Sequence, residues 1–454
     1  METLPSLGEA FSTWMRIALL SFGGPAGQIA VMHRILVEEK RWIGEARFLH
    51  ALNYCMLLPG PEAHQLAVYI GWLLHKTRGG VLAGTLFVLP GLLSLGLLSL
   101  VYAVFGEIGL VQGLFFGLKA AVLALVLQAV IRVGSRALKT HAQVTIAGAA
   151  FVALAIFALP FPLVIIGAAA IGLLGRALHL PWFEGNAGHG PGSPMDVAPA
   201  LIDTAFAREI PAHVKPSAIR FATVLFVGLI VWMTPLGILL ATVGSRNAFT
   251  TVSLFNAKMA VVTFGGAYAV LAYMAQQAVE YYHWLKPGEM LVGLGFAETT
   301  PGPLISVVQF VGFMATFRQP GLLNPLVAGT IGGLLAMWMT FVPSFLWIFL
   351  GGPYVESLIA NKSLNAALTA ITAAVVGVIL NLALWFGLHT LFAQMEIFRI
   401  AGLTLSVPTL ASIDWAALAI SLTAFVAIFR FKMGMLAVLV GSTALGALYF
   451  TLIR

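Results

Sequence analysis

A Pro-Gly-Pro sequence, Pro59-Gly60-Pro61, interrupts a long apolar stretch that runs from about Phe48 to Leu74. The two prolines remove two backbone donors and glycine has no preferred hand, so a regular helix cannot continue through this sequence. In hydrocarbon each freed backbone group costs several kcal/mol unless protein, water or a ligand satisfies it. The same element recurs as Pro301-Gly302-Pro303. We therefore expect both breaks to line a cavity and to belong to a binding site.

The composition is that of a polytopic membrane protein. Of the 454 residues, 60% are hydrophobic and 9% are charged, whereas a soluble domain carries about 25% charged residues. The formal net charge of +7 is scattered over the loops without a basic block, which argues against a nucleic-acid partner. A single cysteine, Cys55, excludes an internal disulfide and a CxxC motif. The N-terminus lacks the features of a cleaved signal peptide.

About thirteen apolar segments are long enough to span a bilayer, which predicts an all-α polytopic membrane protein. They cover approximately residues 10–33, 46–75, 79–105, 110–135, 142–159, 161–178, 217–243, 252–278, 288–316, 323–350, 364–392, 413–430 and 432–453. The arms around the first Pro-Gly-Pro are short, so the broken segments could instead be re-entrant hairpins. A Pro- and Gly-rich linker is predicted at residues 181–216. It separates an N-terminal transmembrane repeat, 1–180, from residues 217–454, which hold an additional span and a C-terminal repeat.

The two halves of the chain are related by an ungapped offset of 242 residues. The offset pairs Arg16 with Lys258, Ser21-Phe22-Gly23-Gly24 with Thr263-Phe264-Gly265-Gly266, Trp42 with Trp284, and the two Pro-Gly-Pro elements with each other. After an insertion near residue 320 the offset becomes 253, which pairs Pro90 with Pro343. Seven predicted spans separate the first segment from its counterpart. Because that number is odd, we expect the second copy to be inverted in the membrane.

Basic residues in the loops favour a cytoplasmic N-terminus. With that orientation, 13 Lys and Arg residues of the predicted loops lie on the cytoplasmic side and 8 on the opposite side. The basic loop at residues 33–47 opposes this assignment.

The breaks are predicted to bind an anion. A half-helix that begins after Phe-Gly-Gly or Pro-Gly-Pro presents unpaired N–H groups and the positive end of a helix dipole, and transporters use such ends as anion sites. The alternative is that these residues only allow kinks and close helix packing. The predicted substrate-binding residues are Arg16, Ser21, Phe22, Gly23, Gly24, Pro25, Gln28, Asn53, Pro59, Gly60, Pro61, Gln65, Lys258, Thr263, Gly265, Gly266, Pro301, Gly302 and Pro303.

Charged residues near the breaks are assigned separate roles. Arg16 and Lys258 each lie five residues before a break and are expected to balance the charge of the anion, with snorkelling to the interface as the alternative. Glu62 and Glu298 are expected to couple protons or to gate the site; the alternatives are a structural ion pair with Arg16 or Lys258 or, for Glu62, an acidic residue at a helix N-terminus. No Walker A sequence, metal-ligand cluster or catalytic carboxylate pair is present, so we predict no cofactor, no metal and no enzymatic activity.

The motifs resemble those of the chromate ion transporter (CHR) family. The resemblance rests on Glu39-Lys40-Arg41-Trp42-Ile43, Leu58-Pro59-Gly60-Pro61-Glu62, Gln65-Leu66-Ala67 and Ser21-Phe22-Gly23-Gly24-Pro25, with Phe264-Gly265-Gly266 and Pro301-Gly302-Pro303 downstream. It covers both halves and therefore looks like the long, two-domain form. It implies gradient-driven export of chromate across the bacterial inner membrane, with sulfate as the structurally similar anion. The second half departs from the pattern, since Ala267 and Leu304 stand where the first half has Pro25 and Glu62.

Other functions stay open from the sequence. A carrier of sulfate or another oxyanion is the nearest alternative, followed by an anion channel, which would need a continuous polar path. A chromate-reducing membrane enzyme would need a flavin, a haem or redox thiols, which the sequence does not indicate. The expected partners are chromate, with sulfate as a second anion, and the lipid bilayer. The sequence does not specify an oligomeric state.

Overall fold

The computed structural model describes the chain except for residues 1–3, 23, 181–199, 209–210, 265–266, 287, 356–357, 359–360, 401–402 and 453–454. Its helices are α1 (Leu7–Leu20), α2 (Gly24–His33), α3 (Glu45–Leu57), α4 (Glu62–Phe105), α5 (Gly109–Ala137), α6 (His141–Ala155), α7 (Phe161–Ala177), α8 (Leu201–Arg208), α9 (Ala218–Thr242), α10 (Ala248–Val262), α11 (Ala267–Gln276), α12 (Glu289–Thr299), α13 (Val308–Arg318), α14 (Pro325–Gly351), α15 (Lys362–Leu391), α16 (Trp415–Phe429) and α17 (Met435–Leu452). Two π-helices, Arg34–Glu39 and Gln277–Tyr281, continue α2 and α11, and a 3-10 helix, Leu304–Val307, precedes α13.

The helices confirm an α-helical multi-pass membrane protein. Within the described residues, six helices are long and apolar enough to cross a bilayer, and five more are apolar and shorter. The six are Glu62–Phe105, Gly109–Ala137, Ala218–Thr242, Pro325–Tyr354, Lys362–Leu391 and Met435–Leu452. The prediction of an all-α chain misses one element: strands β1 (Met395–Ile400) and β2 (Leu403–Pro408) form an antiparallel hairpin between α15 and α16.

The chain forms two compact units, each of which draws on both halves of the sequence. The first unit comprises Met1–Gly96, Glu184–Ala267 and Thr300–Asn365, and the second comprises Leu97–Phe183, Tyr268–Thr299 and Ala366–Arg454. The predicted division into repeats at 1–180 and 217–454 stays a prediction about ancestry and topology. Within the predicted linker 181–216, the structure places helix α8, while the Pro- and Gly-rich centre of that linker lies outside the described residues.

Helix α4 consists of two arms that turn back on each other. The backbone leaves the helical region at His75 (φ −133°) and Lys76 (φ 55°). A Cβ atom added to Gly71 would lie 2.7 Å from the Cβ of Ala83 and against the carbonyl of Gly79. Eight residues of straight helix would separate Gly71 from Gly79 by about 12 Å. Residues 62–74 and 77–105 are therefore antiparallel neighbours, as the separate segments 46–75 and 79–105 predicted.

The first broken segment, predicted at residues 10–33, is also a hairpin. Lys40 Nζ lies 3.1 Å from Glu9 Oε1, and Arg16 Nη1 lies 2.7 Å from Glu39 Oε2. In a continuous helix, the 31 residues between Glu9 and Lys40 would span about 46 Å. Helix α1 and the α2–π-helix arm therefore run side by side, and both ends of the segment lie on the same face of the unit.

The second broken segment reverses at Pro59-Gly60-Pro61. The rings of Tyr54 in α3 and Tyr69 in α4 are 5.3 Å apart between centroids, whereas 15 residues of straight helix would separate their backbones by about 22 Å. Of the two forms left open by the sequence, the first half of the chain adopts the hairpin. The beginning of α1 and the turn at His75 lie together, because His75 Nε2 donates a hydrogen bond of 2.6 Å to the carbonyl of Pro5.

Large side chains hold the two hairpins of the first unit together. Trp14 of α1, Phe48 of α3, Trp72 of α4 and the interhelical Trp42 are all at most 2% exposed and share one apolar cluster. In the second unit, glycines allow close helix contact instead: a Cβ atom at Gly117 of α5 would collide with the backbone of α17 at Ser442. Small residues at such crossings are typical of membrane helices.

The hairpin of α1 predicts a specific cross-link. In a Cys55→Ser background, Glu9→Cys and Lys40→Cys should be joined by a short thiol cross-linker, because their side chains form an ion pair. The pair Leu20→Cys and Lys40→Cys serves as the control, since residue 20 lies at the far end of the arm. Cross-linking of the control pair without the Glu9–Lys40 pair would contradict the hairpin; mobility shift on a denaturing gel measures both.

Candidate functional site

The two Pro-Gly-Pro glycines have the same unusual backbone conformation. Gly60 has φ +127° and Gly302 has φ +128°. This region of backbone space is open to glycine and strained for every residue with a Cβ atom. Both glycines are buried. The sequence offset of 242 residues therefore predicts a matching pair of backbone turns correctly.

Each of these glycines is hydrogen-bonded to the break of the other half. The amide of Gly60 donates to the carbonyl of Thr263 at 2.8 Å, and the amide of Gly302 donates to the carbonyl of Ser21 at 2.9 Å. Ser21 ends α1 and Thr263 ends α10, so each Pro-Gly-Pro caps the first half-helix of the other repeat. The offset of 242 residues pairs Ser21 with Thr263 and Gly60 with Gly302, so the two hydrogen bonds join equivalent positions in opposite directions. A reciprocal contact of this kind is what a two-fold relation between two copies produces.

The hydroxyls of Ser21 and Thr263 are bonded within their own helices. Ser21 Oγ donates to the carbonyl of Ile17 at 2.7 Å, and Thr263 Oγ1 donates to the carbonyl of Met259 at 2.5 Å. Their protons are therefore occupied, although both side chains are buried beside the breaks. The amides of Gly60 and Gly302 are likewise already hydrogen-bonded, although the sequence predicts that they face the anion. The amides left for a ligand are those in the first turns after Pro61 and Pro303.

Two glutamines support the breaks and leave their oxygens unsatisfied. Gln28 Nε2 donates to the carbonyl of Gly302 at 2.5 Å, and Gln65 Nε2 donates to the carbonyl of Pro59 at 2.8 Å. Gln28 is 1% exposed and Gln65 is fully buried. The Oε1 atom of each is buried without a hydrogen-bond partner. Such buried orphan atoms are rare in folded proteins and usually mark a site for water or a ligand.

Ser344 of α14 is a candidate site residue that the sequence analysis does not predict. Its side chain is 1% exposed, and its hydroxyl has no hydrogen-bond partner. A Cβ atom added to Gly60 would lie 3.0 Å from Ser344 Oγ and 2.8 Å from Gln65 Nε2, so all three residues meet at one point. The equivalent contact joins Gly302 to Gly91, whose Cα lies 3.2 Å from a Cβ atom built at Gly302. The signal was available, because the offset of 253 that pairs Pro90 with Pro343 also pairs Gly91 with Ser344.

His64 and Ser306, which the 242-residue offset pairs, add further buried polar groups. The imidazole of His64 is fully buried between the rings of Phe341 and Phe345, at centroid distances of 5.1 and 5.0 Å. The hydroxyl of Ser306 has no hydrogen-bond partner. Both side chains belong to the first turns that follow the Pro-Gly-Pro breaks. These groups can donate hydrogen bonds to an anion without carrying a fixed charge.

Several predicted site residues lie elsewhere. Arg16 forms an ion pair with Glu39 and its side chain is 52% exposed. Asn53 and Lys258 are exposed on α3 and α10. Glu298 is buried in the second unit, whereas Glu62 directly follows Pro61 and begins α4, so it stays beside the first Pro-Gly-Pro break.

The remaining predicted residues are partly described. Gly24 (φ +73°), Pro25, Phe22, Pro59, Pro61, Pro301 and Pro303 form the backbone of the described breaks. Gly23, Gly265 and Gly266 lie outside the described residues. Among the described residues, no three His, Cys, Asp or Glu side chains come close enough to bind a metal ion.

The comparisons with known proteins confirm the resemblance drawn from the motifs. A family model described as "Chromate transporter" matches residues 8–173 and 250–447. The two matched regions begin 242 residues apart, which is the offset found between the breaks. No solved structure matches the chain.

Curated relatives match over most of the chain. A "Chromate transport protein" of Pseudomonas aeruginosa is 30% identical over 413 residues, which cover 90% of this chain and 86% of that protein. A "Chromate transport protein" of Cupriavidus metallidurans is 28% identical, covering 84% and 82%. A "Probable chromate transport protein" of Synechococcus elongatus is 25% identical, covering 85% and 86%.

The glycine turns predict a cost for a single methyl group. Gly60→Ala should lower the stability of the purified protein by about 1–3 kcal/mol, because alanine is strained at φ +127° and its Cβ atom would meet Gln65 and Ser344. Gly302→Ala should behave in the same way. Gly237→Ala in α9 is the matched control, since nothing lies within 4 Å of its Cβ position. Thermal melting in detergent measures the effect, and equal melting temperatures for all three variants would refute the strain.

Proposed function

Because the chain belongs to the chromate transporter family, we propose that it is a secondary transporter that exports chromate from the cytoplasm of a bacterium across the plasma membrane. We propose that the anion binds at the two Pro-Gly-Pro turns, each of which is hydrogen-bonded to the end of the first half-helix of the other repeat. The observation that carries the proposal is the reciprocal pair of bonds, Gly60 to Thr263 and Gly302 to Ser21, surrounded by buried polar atoms without partners. The family and the names of the curated relatives support chromate as the substrate. The buried polar atoms without partners support the location of the site.

The chemistry of the place suits a tetrahedral oxyanion. The first turns of α4 and of the 3-10 helix Leu304–Val307 present N–H groups without intrahelical acceptors, and helix N-termini favour anions. Ser344, Ser306 and His64 can add side-chain donors, while the oxygens of Gln28 and Gln65 can accept from water or from a protonated oxyanion. A site built of neutral donors compensates an anion without binding it irreversibly. Sulfate has the same shape and stands as the natural competitor.

Arg16 and Lys258 are proposed to act outside this site, whereas Glu62 begins α4 and lies in the first turn beside it. Arg16 and Lys258 lie on exposed helix faces five residues before Ser21 and Thr263, where a cation attracts anions into an approach. Glu62 is the nearest carboxyl group to the first Pro-Gly-Pro turn in the sequence. We propose that Glu62, together with Glu298 in the second unit, couples transport to protons or gates it. The absence of a Walker A sequence favours a gradient as the energy source.

We also propose that the two repeats are inverted in the membrane. If the first two predicted spans are hairpins, the chain crosses the membrane five times instead of seven between the first segment and its counterpart. The number of crossings therefore stays odd. The predicted thirteen segments then become nine crossings and four hairpins, if the second half repeats the hairpins of the first. An odd number of crossings turns the second copy upside down.

This topology removes the conflict in the charge distribution. The basic loop at residues 33–47 now lies on the N-terminal face, and 16 loop Lys and Arg residues share that face against 5 on the other. The five are Arg246, Lys286, Arg318, Arg399 and Arg454. We therefore propose a cytoplasmic N-terminus, in agreement with the excess of basic residues in cytoplasmic loops.

Chromate uptake into inside-out vesicles tests the function. Vesicles with the wild-type protein should accumulate chromate, and a protonophore should abolish the accumulation if protons couple transport. Ser344→Ala should raise the half-saturating chromate concentration by about tenfold, since a hydrogen bond to a charged group contributes about 1.5–3 kcal/mol. Excess sulfate should compete.

Ser253→Ala is the matched control for that experiment. Ser253 is also fully buried in the first unit, but its hydroxyl donates to the carbonyl of Phe249 in its own helix. Equal half-saturation for both serine variants would remove Ser344 from the site. No accumulation in vesicles shown to contain the wild-type protein would refute chromate export and leave the fold unaffected.

A further inference from the structure

A groove opens on the N-terminal face of the first unit, and it is lined by residues other than those of the Pro-Gly-Pro turns. Its volume is about 340 Å³, and it is lined by apolar side chains from three separate segments of the chain. These are Leu4 and Leu7 near the N-terminus, Leu73 and Leu74 at the end of the first arm of α4, and Phe206 of α8. The volume falls within the range of about 300–1,000 Å³ that is common for small-molecule sites.

The walls of the groove are fixed by specific contacts. Helix α8 is held by Asp203, which accepts hydrogen bonds from the amide of Gly44 at 2.9 Å and from Arg47 Nε at 2.5 Å. The guanidinium of Arg47 lies 4.9 Å from the centre of the Phe206 ring. The N-terminal segment is held by the bond from His75 to Pro5. These contacts therefore hold the walls of the groove in place.

Cations adjoin the apolar walls. Lys76 and Arg78 line the same groove and are exposed. Among the residues that the structure describes, no carboxylate oxygen lies within 4.0 Å of their side-chain nitrogens. A second cavity of about 560 Å³ shares Lys76 and is completed by Pro211, Ala212 and His213.

The electrostatics of this second cavity are positive. Arg220 donates to the carbonyl of His213, and its guanidinium lies 5.5 Å from the centre of the Trp72 ring. Burial, followed by the nearby Arg220 and Lys76 charges, holds the pKa of His213 below its ordinary value. The imidazole is therefore neutral at neutral pH. Among the described residues that line the two cavities, the side chains with a fixed charge are those of Lys76 and Arg78.

We propose that this groove binds one anionic phospholipid of the leaflet on the N-terminal face, with its phosphate against Lys76 and Arg78 and an acyl chain along Leu4, Leu7, Leu73 and Phe206. The occupant follows from charge complementarity and from position. The turn at His75 and Lys76 ends two membrane hairpin arms, so it lies at the level of the lipid headgroups. Leu4 and Leu7, which are 43% and 46% exposed, would be covered by the acyl chain. The site does not depend on the proposed transport function.

Binding of phosphatidylglycerol to the full-length protein in detergent, measured by native mass spectrometry, tests the proposal. The double variant Lys76→Gln/Arg78→Gln should bind this lipid about 30-fold more weakly, because each cation near the headgroup contributes about fivefold. Ala205→Trp, which fills the groove and keeps both charges, should also weaken binding. Phosphatidylcholine should bind weakly to all variants.

Arg246→Gln/Lys362→Gln is the matched control, because it removes two exposed basic residues from other loops. It should bind phosphatidylglycerol as the wild type does. Unchanged binding in the Lys76/Arg78 variant, or in Ala205→Trp, would overturn the proposal. Displacement of the lipid by millimolar inorganic phosphate would also overturn it, since the site would then recognise the free anion rather than a lipid.

Discussion

The pair of hydrogen bonds between the Pro-Gly-Pro glycines and the ends of α1 and α10 solves the main physical problem of this fold. A helix that stops inside an apolar region leaves carbonyl groups without partners, and hydrocarbon offers none. Here Ser21 and Thr263 supply those carbonyls, and Gly302 and Gly60 supply the donors. Only glycine can take the required backbone angle in both places. Each repeat therefore completes a break of the other, and both breaks lie in one compact unit.

The hairpins follow from the same breaks and determine where the charges lie. Because the arms of α1 and α2 run side by side, Arg16 meets Glu39 and Lys40 meets Glu9 at one face of the unit. Exposed surface pairs of this kind contribute little to stability, about 0–1 kcal/mol each, so their importance is positional. They collect the basic loop at residues 33–47 on the N-terminal face, beside Lys76 and Arg78. We propose that neutral groups bind the anion and that the exposed cations lie at its approaches and at the headgroup level.

Much of the candidate site could be predicted from the sequence, because the repeats and the breaks are visible as matching motifs. The offset of 242 residues paired Gly60 with Gly302 before their angles were known, and the motifs identified the family. The direction of the chain after each break could not be predicted, since hydropathy is the same for a straight span and for a hairpin. The sequence therefore predicts Arg16 as a site residue and does not predict its ion pair with Glu39. Ser344 is not predicted, because a serine in an apolar helix has no distinctive sequence pattern. Its contact with Gly60 in the structure, and its pairing with Gly91 by the offset of 253 residues, identify it as a candidate.

The location of bound chromate tests the central claim most directly. A cryo-electron microscopy or crystal structure of the protein with chromate, in which chromium can be identified by its anomalous scattering, would place the anion. The account predicts density at one of the two Pro-Gly-Pro turns, within hydrogen-bond reach of Ser344 and the first-turn amides after Pro61, or of Ser306 and the first-turn amides after Pro303. Density beside Arg16 or Lys258 with both turns empty, or density confined to the second unit, would contradict it.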